Sequence, residues 1–251
     1  MIGLGTLVNI VTIVLGATIG VTIGNKLPER AHKVVMDALG MIVLVMGGMN
    51  LAALGNAEYV AAVGSTATFL IVVGSVIIGT IVGALIGIES RLAKFGDVLH
   101  ARVSRNATGS NAGRERFIQG FVDASLIFAI GPMAILGAFA DGMGQGSDQL
   151  ILKAILDGFG SIIFATALGW GVAFSAIPVG VWQGLLTALA FALGSVLSGA
   201  QIASITATGG ILLLGVGIRV MNIKAISVGD MLPALVVAPI LTAIVGALGH
   251  A

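Results

Sequence analysis

Four aspartates fall in or beside long apolar stretches of this sequence: Asp37, Asp123, Asp157 and Asp230. A charged group at the centre of a bilayer costs roughly 2.5–3.5 kcal/mol on insertion scales, so an acid kept there pairs with a partner or holds a cation or proton. Asp123 follows Arg116 by seven residues, about 10 Å along a helix, and reads as the deepest of the four. Asp157 is expected near the outer end of its helix, and Asp37 and Asp230 near inner ends, where an acid in a first turn is favoured by the helix dipole. Gly131-Pro132 lies eight residues beyond Asp123. Proline there removes a backbone donor and glycine eases distortion, so a kink or break is expected. Carbonyls freed at membrane depth are tolerated where they face protein or a water-filled cavity, and there they can coordinate an ion or a polar solute.

The same stretches carry neutral polar side chains, Asn9, Ser125, Ser161 and Gln183, with Asn50, Thr166, Thr206 and Thr208 as further supports. Asp123, Ser125, Gly131, Pro132, Asp157, Ser161, Asn9 and Gln183 are therefore the candidate substrate or ion ligands. The expected site lies where the fourth and fifth helices meet, with Asp123 and Asp157 as cation or proton ligands. No buried lysine, haem-type histidine pair, nucleophile elbow or His-Glu-x-x-His pattern is read in the sequence. With no cysteine and only His32, His100 and His250, it offers no thiolate or clustered histidine metal site. An enzyme is disfavoured, and no cofactor is expected.

The elements that hold these residues follow from composition. Of 251 residues, 57% are hydrophobic before the 38 glycines are counted, and 9% are charged. Mean hydropathy is +1.12. A soluble domain carries roughly 25% charged residues, so the chain is expected to be an all-α polytopic membrane protein. Continuous apolar runs predict about eight transmembrane helices, at 2–23, 36–54, 64–88, 117–140, 152–174, 178–198, 204–221 and 230–249. They are too long and too continuous for the strands of a membrane barrel. The first run is too long for a signal-peptide core and lacks a cleavage pattern, so it reads as a span. A net charge of +1 leaves no footprint for nucleic acid.

Eleven of the twelve basic residues fall in alternate loops, with Lys153 the exception. The positive-inside rule makes those loops cytoplasmic and places both termini outside. In the one substantial loop, 89–116, Leu92, Phe95, Leu99 and Val103 recur at helical spacing opposite charges, as in an interfacial helix. Ser104 to Gly113 reads as a flexible tether. Its Asn106-Ala-Thr108 sequon is without meaning on the cytoplasmic side.

The sequence also echoes itself. Asp37 to Gly48 matches Thr206 to Gly217 in Ala, Gly, Ile and Leu positions, and Gly79 to Gly87 matches Leu241 to Gly249. Gly16, Gly20 and Gly24 correspond to Ala190, Gly194 and Ser198, small residues at every fourth position. Helices 1–3 thus resemble helices 6–8, and an offset of five spans inverts one unit relative to the other. Ser125-Leu-Ile-Phe-Ala129 and Ser161-Ile-Ile-Phe-Ala165 echo within the central pair, helices 4 and 5. The organisation expected is a first repeat unit at 1–88, the loop at 89–116, the central pair at 117–174 and a second repeat unit at 178–251. The Gly-x-x-x-Gly-x-x-x-Gly patterns of helices 1 and 3 favour close helix packing and also suit a homo-oligomer seam.

Gly5-Thr-Leu-Val-Asn9, Leu27-Pro-Glu-Arg30, Ile88-Glu89, Leu156-Asp-Gly158, Leu232-Pro-Ala234 and above all Gly120 to Gly137 resemble the bacterial membrane-protein family known as domain of unknown function 554. The resemblance spans essentially the whole chain. It implies a bacterial inner-membrane protein, of a kind often labelled a transport protein, and supplies neither substrate nor site residues. Three functions fit: a small secondary transporter of a solute or ion, cation- or proton-coupled; an ion channel; or a scaffold that recruits a partner through 89–116.

Overall fold

The structure, a computed structural model, describes residues 2–25, 28–103, 111–193 and 197–249. Lys26, Leu27, Ser104 to Ser110 with the Asn106 sequon, Gly194 and His250 lie outside the described residues. The described chain is helical and contains no strand. In order the helices are α1 (Leu4–Gly24), α2 (Glu29–Leu51), α3 (Ala57–Val63), α4 (Ser65–Ile86), α5 (Ile88–Val103), α6 (Asn111–Ala129), α7 (Pro132–Gly142), α8 (Asp148–Leu168), α9 (Gly171–Phe174), α10 (Ala176–Leu193), α11 (Gly199–Val220) and α12 (Ala234–Gly249). Short 3-10 turns, Ala52–Gly55 and Val228–Met231, precede α3 and α12. Among the described residues seven helices are long and apolar enough to cross a membrane, or eight if α6 and α7, bent by 62° at their junction, count as one span.

The expected spans are present with shifted ends. α8 begins four residues before the expected helix and stops at Gly169, whose φ of +72° is a left-handed conformation that closes the helix without a Cβ clash. α11 begins at Gly199, capped by Ser198, whose hydroxyl accepts from the Gln201 N–H while Gln201 Oε1 accepts from the Ser198 N–H. Ser198 thus starts the seventh span and is no part of the stripe on the sixth, so that member of the small-residue correspondence fails. Asn111, Ala112 and Gly113, expected in a tether, are the first turn of α6.

The helices group into two compact units, Met1–Leu39 with Ser90–Gly194, and Gly40–Glu89 with Ser195–Ala251. In the first, α1 lies along α8 in the same direction: Gly5 meets Leu150, Gly16 meets Gly158 and Ser161, Gly20 meets Ile162 and Gly24 meets Thr166. A Cβ on Gly16, Gly20 or Gly24 would overlap a backbone oxygen of α8, so the glycine stripe lets the two backbones touch. Helices that cross a bilayer in the same direction are separated by an odd number of crossings. α2, α4 and one crossing by α6 and α7 together meet that condition. α8 runs antiparallel to α6 and α7, with Leu168 on Gly120, Gly160 on Phe128 and Leu150 on Gly137. Arg116 Nε donates to Ala167 O at 2.5 Å, supplying a cation and a donor to the C-terminal end of α8.

The amphipathic segment forms α5 as expected, and it packs on protein as well. Phe95 packs on Phe121 in a tilted arrangement with ring centres 5.9 Å apart, and His100 meets Phe117 at 5.1 Å. Gly96 also sits against Phe121. Arg114 donates to both carboxylate oxygens of Asp97, at 2.5 and 2.7 Å. This hydrogen bond holds the Asp97 carboxyl below its ordinary value. The pair's contribution is therefore present above the ordinary carboxylate pKa and is lost as pH falls through the lowered one. The protection of α5 amides, taken relative to their intrinsic exchange rate at each pH, is expected to fall at acid pH in the wild type and to be less pH-sensitive in Asp97→Asn; an equal acid response in both would refute the assignment.

In the second unit α2 crosses α11 antiparallel at two reciprocal glycine contacts, Gly40 with Gly217 and Gly47 with Gly210. α4 lies antiparallel to the start of α12, with Gly79 on Ala234 and Gly83 on Asp230 O. Glu89 ties this end together: Oε1 accepts from Arg219 at 2.5 Å, Oε2 from the Gly229 N–H at 2.8 Å, and its own N–H donates to Asp230 Oδ1 at 2.9 Å. Asp230 is thus a backbone acceptor at a helix entrance. Tyr59 is fully buried in α3, and its hydroxyl donates to Thr68 O at 3.1 Å.

Candidate functional site

Large apolar side chains lie exposed on the described surface, and several polar and charged side chains are buried within a mostly apolar interior. Met49, Leu85, Phe159 and Phe191 are exposed, whereas Asn9, Asp123, Asp141, Lys153, Asp157, Ser161 and Gln183 are buried. Such buried polar groups are tolerated only where they satisfy one another or a ligand.

Within the first unit three helices bring their polar groups together. Asn9 on α1 donates from Nδ2 to Asp157 Oδ2 on α8 at 3.0 Å and to Gln183 Oε1 on α10 at 3.1 Å. Lys153, one turn before Asp157, donates its ammonium to the same Oδ2. A carboxylate only accepts, so Asp157 fixes which way the Asn9 amide points, and Asn9 in turn fixes Gln183. This relay uses both protons of Asn9. It leaves Asn9 Oδ1 and Gln183 Nε2 buried without a hydrogen-bond partner among the described residues. Ser161, one turn beyond Asp157 on the same face of α8, is buried and its hydroxyl is likewise unpartnered.

The break expected at Gly131-Pro132 is present. α6 ends at Ala129, Gly131 is extended at φ −161° and ψ 144°, and α7 starts at Pro132. Proline has no N–H, so the Phe128 carbonyl loses its helical donor. The contacts Phe128 with Gly160 and Gly137 with Leu150 place this break beside the segment of α8 that carries Lys153 and Asp157. The N-terminus of α7, with its partial positive charge, opens at the same level. Asp123 and Ser125 are buried in α6, and Ser125 donates to Phe121 O at 2.5 Å.

Two grooves flank the Asn9–Gln183 bond along the seam of α1 and α10. One, of about 480 Å³, is lined by Thr6 and Thr187, and the other, of about 770 Å³, by Ile10, Val14, Trp170 and Phe174. The hydroxyls of Thr6 and Thr187 have no partner among the described residues.

The structure thus joins Asn9, Asp157 and Gln183, brings Ser161 onto the same face and sets the Gly131-Pro132 break alongside. Two expectations are corrected. Asp157 stands at mid-helix, because α8 starts at Asp148. Lys153, expected as the one basic residue on the outer side, at the edge of the fifth span and with no lysine expected inside, is buried at 5% exposure because Asp157 neutralises it. The spacing Lys153-x-x-x-Asp157 was the signal that could have found it, since residues four apart share a helix face. Asp141 was also missed; it is buried at the end of α7 and accepts from the Gly3 N–H at 2.9 Å, capping the entrance to α1.

A family model described as a protein of unknown function, DUF554, matches residues 4–243. The chain belongs to the DUF554 family. It is 27% identical over 246 residues to the uncharacterized membrane protein YdfK of Bacillus subtilis, covering 98% of each chain. It is 29% identical over 242 residues to the uncharacterized protein YqgA of Escherichia coli, covering 96% of each. No solved structure matches it significantly. This DUF554 chain is a multi-pass membrane protein, and the polar relay of its first unit is the feature a function must explain.

Proposed function

We propose that the protein is a small secondary transporter of the bacterial inner membrane, cation- or proton-coupled, with its site at Asn9, Lys153, Asp157 and Gln183. The observation that carries this reading is the relay itself. Four buried polar side chains from three helices converge beside a broken fourth, with donors and acceptors left over for a ligand. Broken helices beside buried polar groups are how carriers bind polar solutes away from both surfaces. The alternation of basic loops supports an orientation with both termini outside the cytoplasm. The inverted repeat has support in the second unit, where Gly40 and Gly47 on one helix and Gly210 and Gly217 on the other meet antiparallel at equal spacing.

Proteoliposomes with imposed proton or sodium gradients test this, with internal pH and charge movement recorded as a panel of small ions and solutes is added. A solute- or ion-dependent signal is expected, falling about tenfold or more in Asp157→Asn and in Gln183→Ala. Signals equal to wild type in both variants would refute the site. Large currents that need no added solute would mark a channel, and silence with a phenotype on deleting 104–110 would favour a scaffold.

A further inference from the structure

We infer that a pocket at the shared end of α1 and α8 binds a phosphate group, from an anionic phospholipid or from free phosphate, with Arg116 and His100 as its cations. The pocket has a volume of about 280 Å³ and is lined by Asn25 just past α1, His100 on α5, Gly113 and Arg116 on α6, and Trp170 just past α8. Its two titratable lining residues are both basic. Among the described residues Arg116 forms no ion pair. Asp97 on α5 is taken by Arg114, and Glu115 does not line the pocket. The pocket is distinct from the polar relay, since Asp157 precedes the lining residue Thr166 by nine residues, about 14 Å along α8.

Two helices end here with the negative ends of their dipoles toward the pocket, and the carbonyls that would compete for its cations already have donors. Arg116 donates from Nε to Ala167 O at 2.5 Å and from Nη2 to Thr166 O at 3.3 Å, and His32 Nε2 donates to Gly24 O at 3.1 Å. Arg116 thus spends one edge of its guanidinium on α8, while Nη1 has no hydrogen-bond partner among the described residues. A guanidinium left with donors to spare matches phosphate oxygens in geometry as well as charge. Gly113 lies in the first turn of α6, where the helix dipole is positive. Trp170 is 47% exposed beside Gly24 and Leu168, the last residues of their spans. Indole rings gather at headgroup depth, so the pocket opens at the level of lipid phosphates.

The test uses the purified full-length protein in an uncharged detergent, with bound lipid counted by native mass spectrometry and stability read as Tm. Sodium phosphate is compared with sodium chloride at equal ionic strength, and phosphatidylglycerol with phosphatidylcholine. Phosphate or phosphatidylglycerol is expected to raise Tm, while chloride and phosphatidylcholine do not. A response to phosphatidylglycerol alone assigns the site to a lipid headgroup, and a response to phosphate alone assigns it to the free ion. Arg116→Gln is expected to weaken binding about tenfold or more. His100→Gln leaves the Arg116 contacts with α8 in place and should weaken binding about threefold, which keeps the test decisive where Arg116→Gln fails to fold. Lys94→Gln removes a cation from α5 outside the pocket and should leave binding unchanged. Binding unchanged in His100→Gln, weakened equally in Lys94→Gln, or absent in the wild type with both ligands would overturn the inference.

Discussion

Lys153→Met is expected to be among the most damaging single substitutions in this protein, and Lys153→Met combined with Asp157→Leu to be much milder. The single change leaves Asp157 as a buried carboxylate supported only by the Asn9 amide. Removing one partner of a buried ion pair costs about 3–5 kcal/mol, because the remaining charge stays desolvated. Replacing both partners by apolar groups of similar size removes that penalty and is often neutral for stability. The four melts of a double-mutant cycle, read in one detergent, give the coupling between the two side chains. A cycle near zero would mean that each charge is stabilised by something other than its neighbour. The double variant should fold and yet fail in transport, which separates the role of the pair in ion chemistry from any role in folding.

The second large effect lies in the glycine seam between α1 and α8. A methyl group on Gly16 or Gly20 would overlap the carbonyl of Gly158 or Ile162, and backbone does not move aside as a flexible side chain would. Gly16→Ala and Gly20→Ala are each expected to destabilise by about 1–3 kcal/mol, the usual cost of overpacking, despite alanine's better helix propensity. Gly48 and Gly184 are the controls, since a Cβ there meets nothing within 4 Å. Alanine at those positions is expected to be neutral or to stabilise by about 0.5–1 kcal/mol. Thermal melts of the four variants check the ranking. Equal effects at all four would refute the close approach of α1 and α8. Because Asn9 and Thr12 belong to the same stretch of α1, Gly16→Ala should also weaken transport by prying Asn9 from Asp157.

The spans, the break at Gly131-Pro132 and the amphipathic α5 were legible in the sequence, because each depends on neighbours along the chain. A bilayer selects runs of about 20 apolar residues, a proline removes a donor wherever it stands, and apolar residues at helical spacing make a face. Buried polar types were legible for the same reason: Asn9, Asp157, Ser161 and Gln183 stand out against apolar surroundings whose cost they must offset. Helix ends were less so, since Gly169 and the Ser198 cap act through backbone geometry that hydropathy does not register.

Only the tertiary structure decided which polar atoms meet. Asn9 and Gln183 are 174 residues apart, and their hydrogen bond exists because α1 packs against α10 as well as against α8. Lys153 read as an outer-side cation at the end of a span because a lone ammonium is expelled from a membrane; its pairing with Asp157 removes that penalty, and hydropathy averaged along the chain cannot see the pairing. The pattern along a chain fixes what each helix must bury, while the packing of helices distant in sequence fixes what each buried group touches.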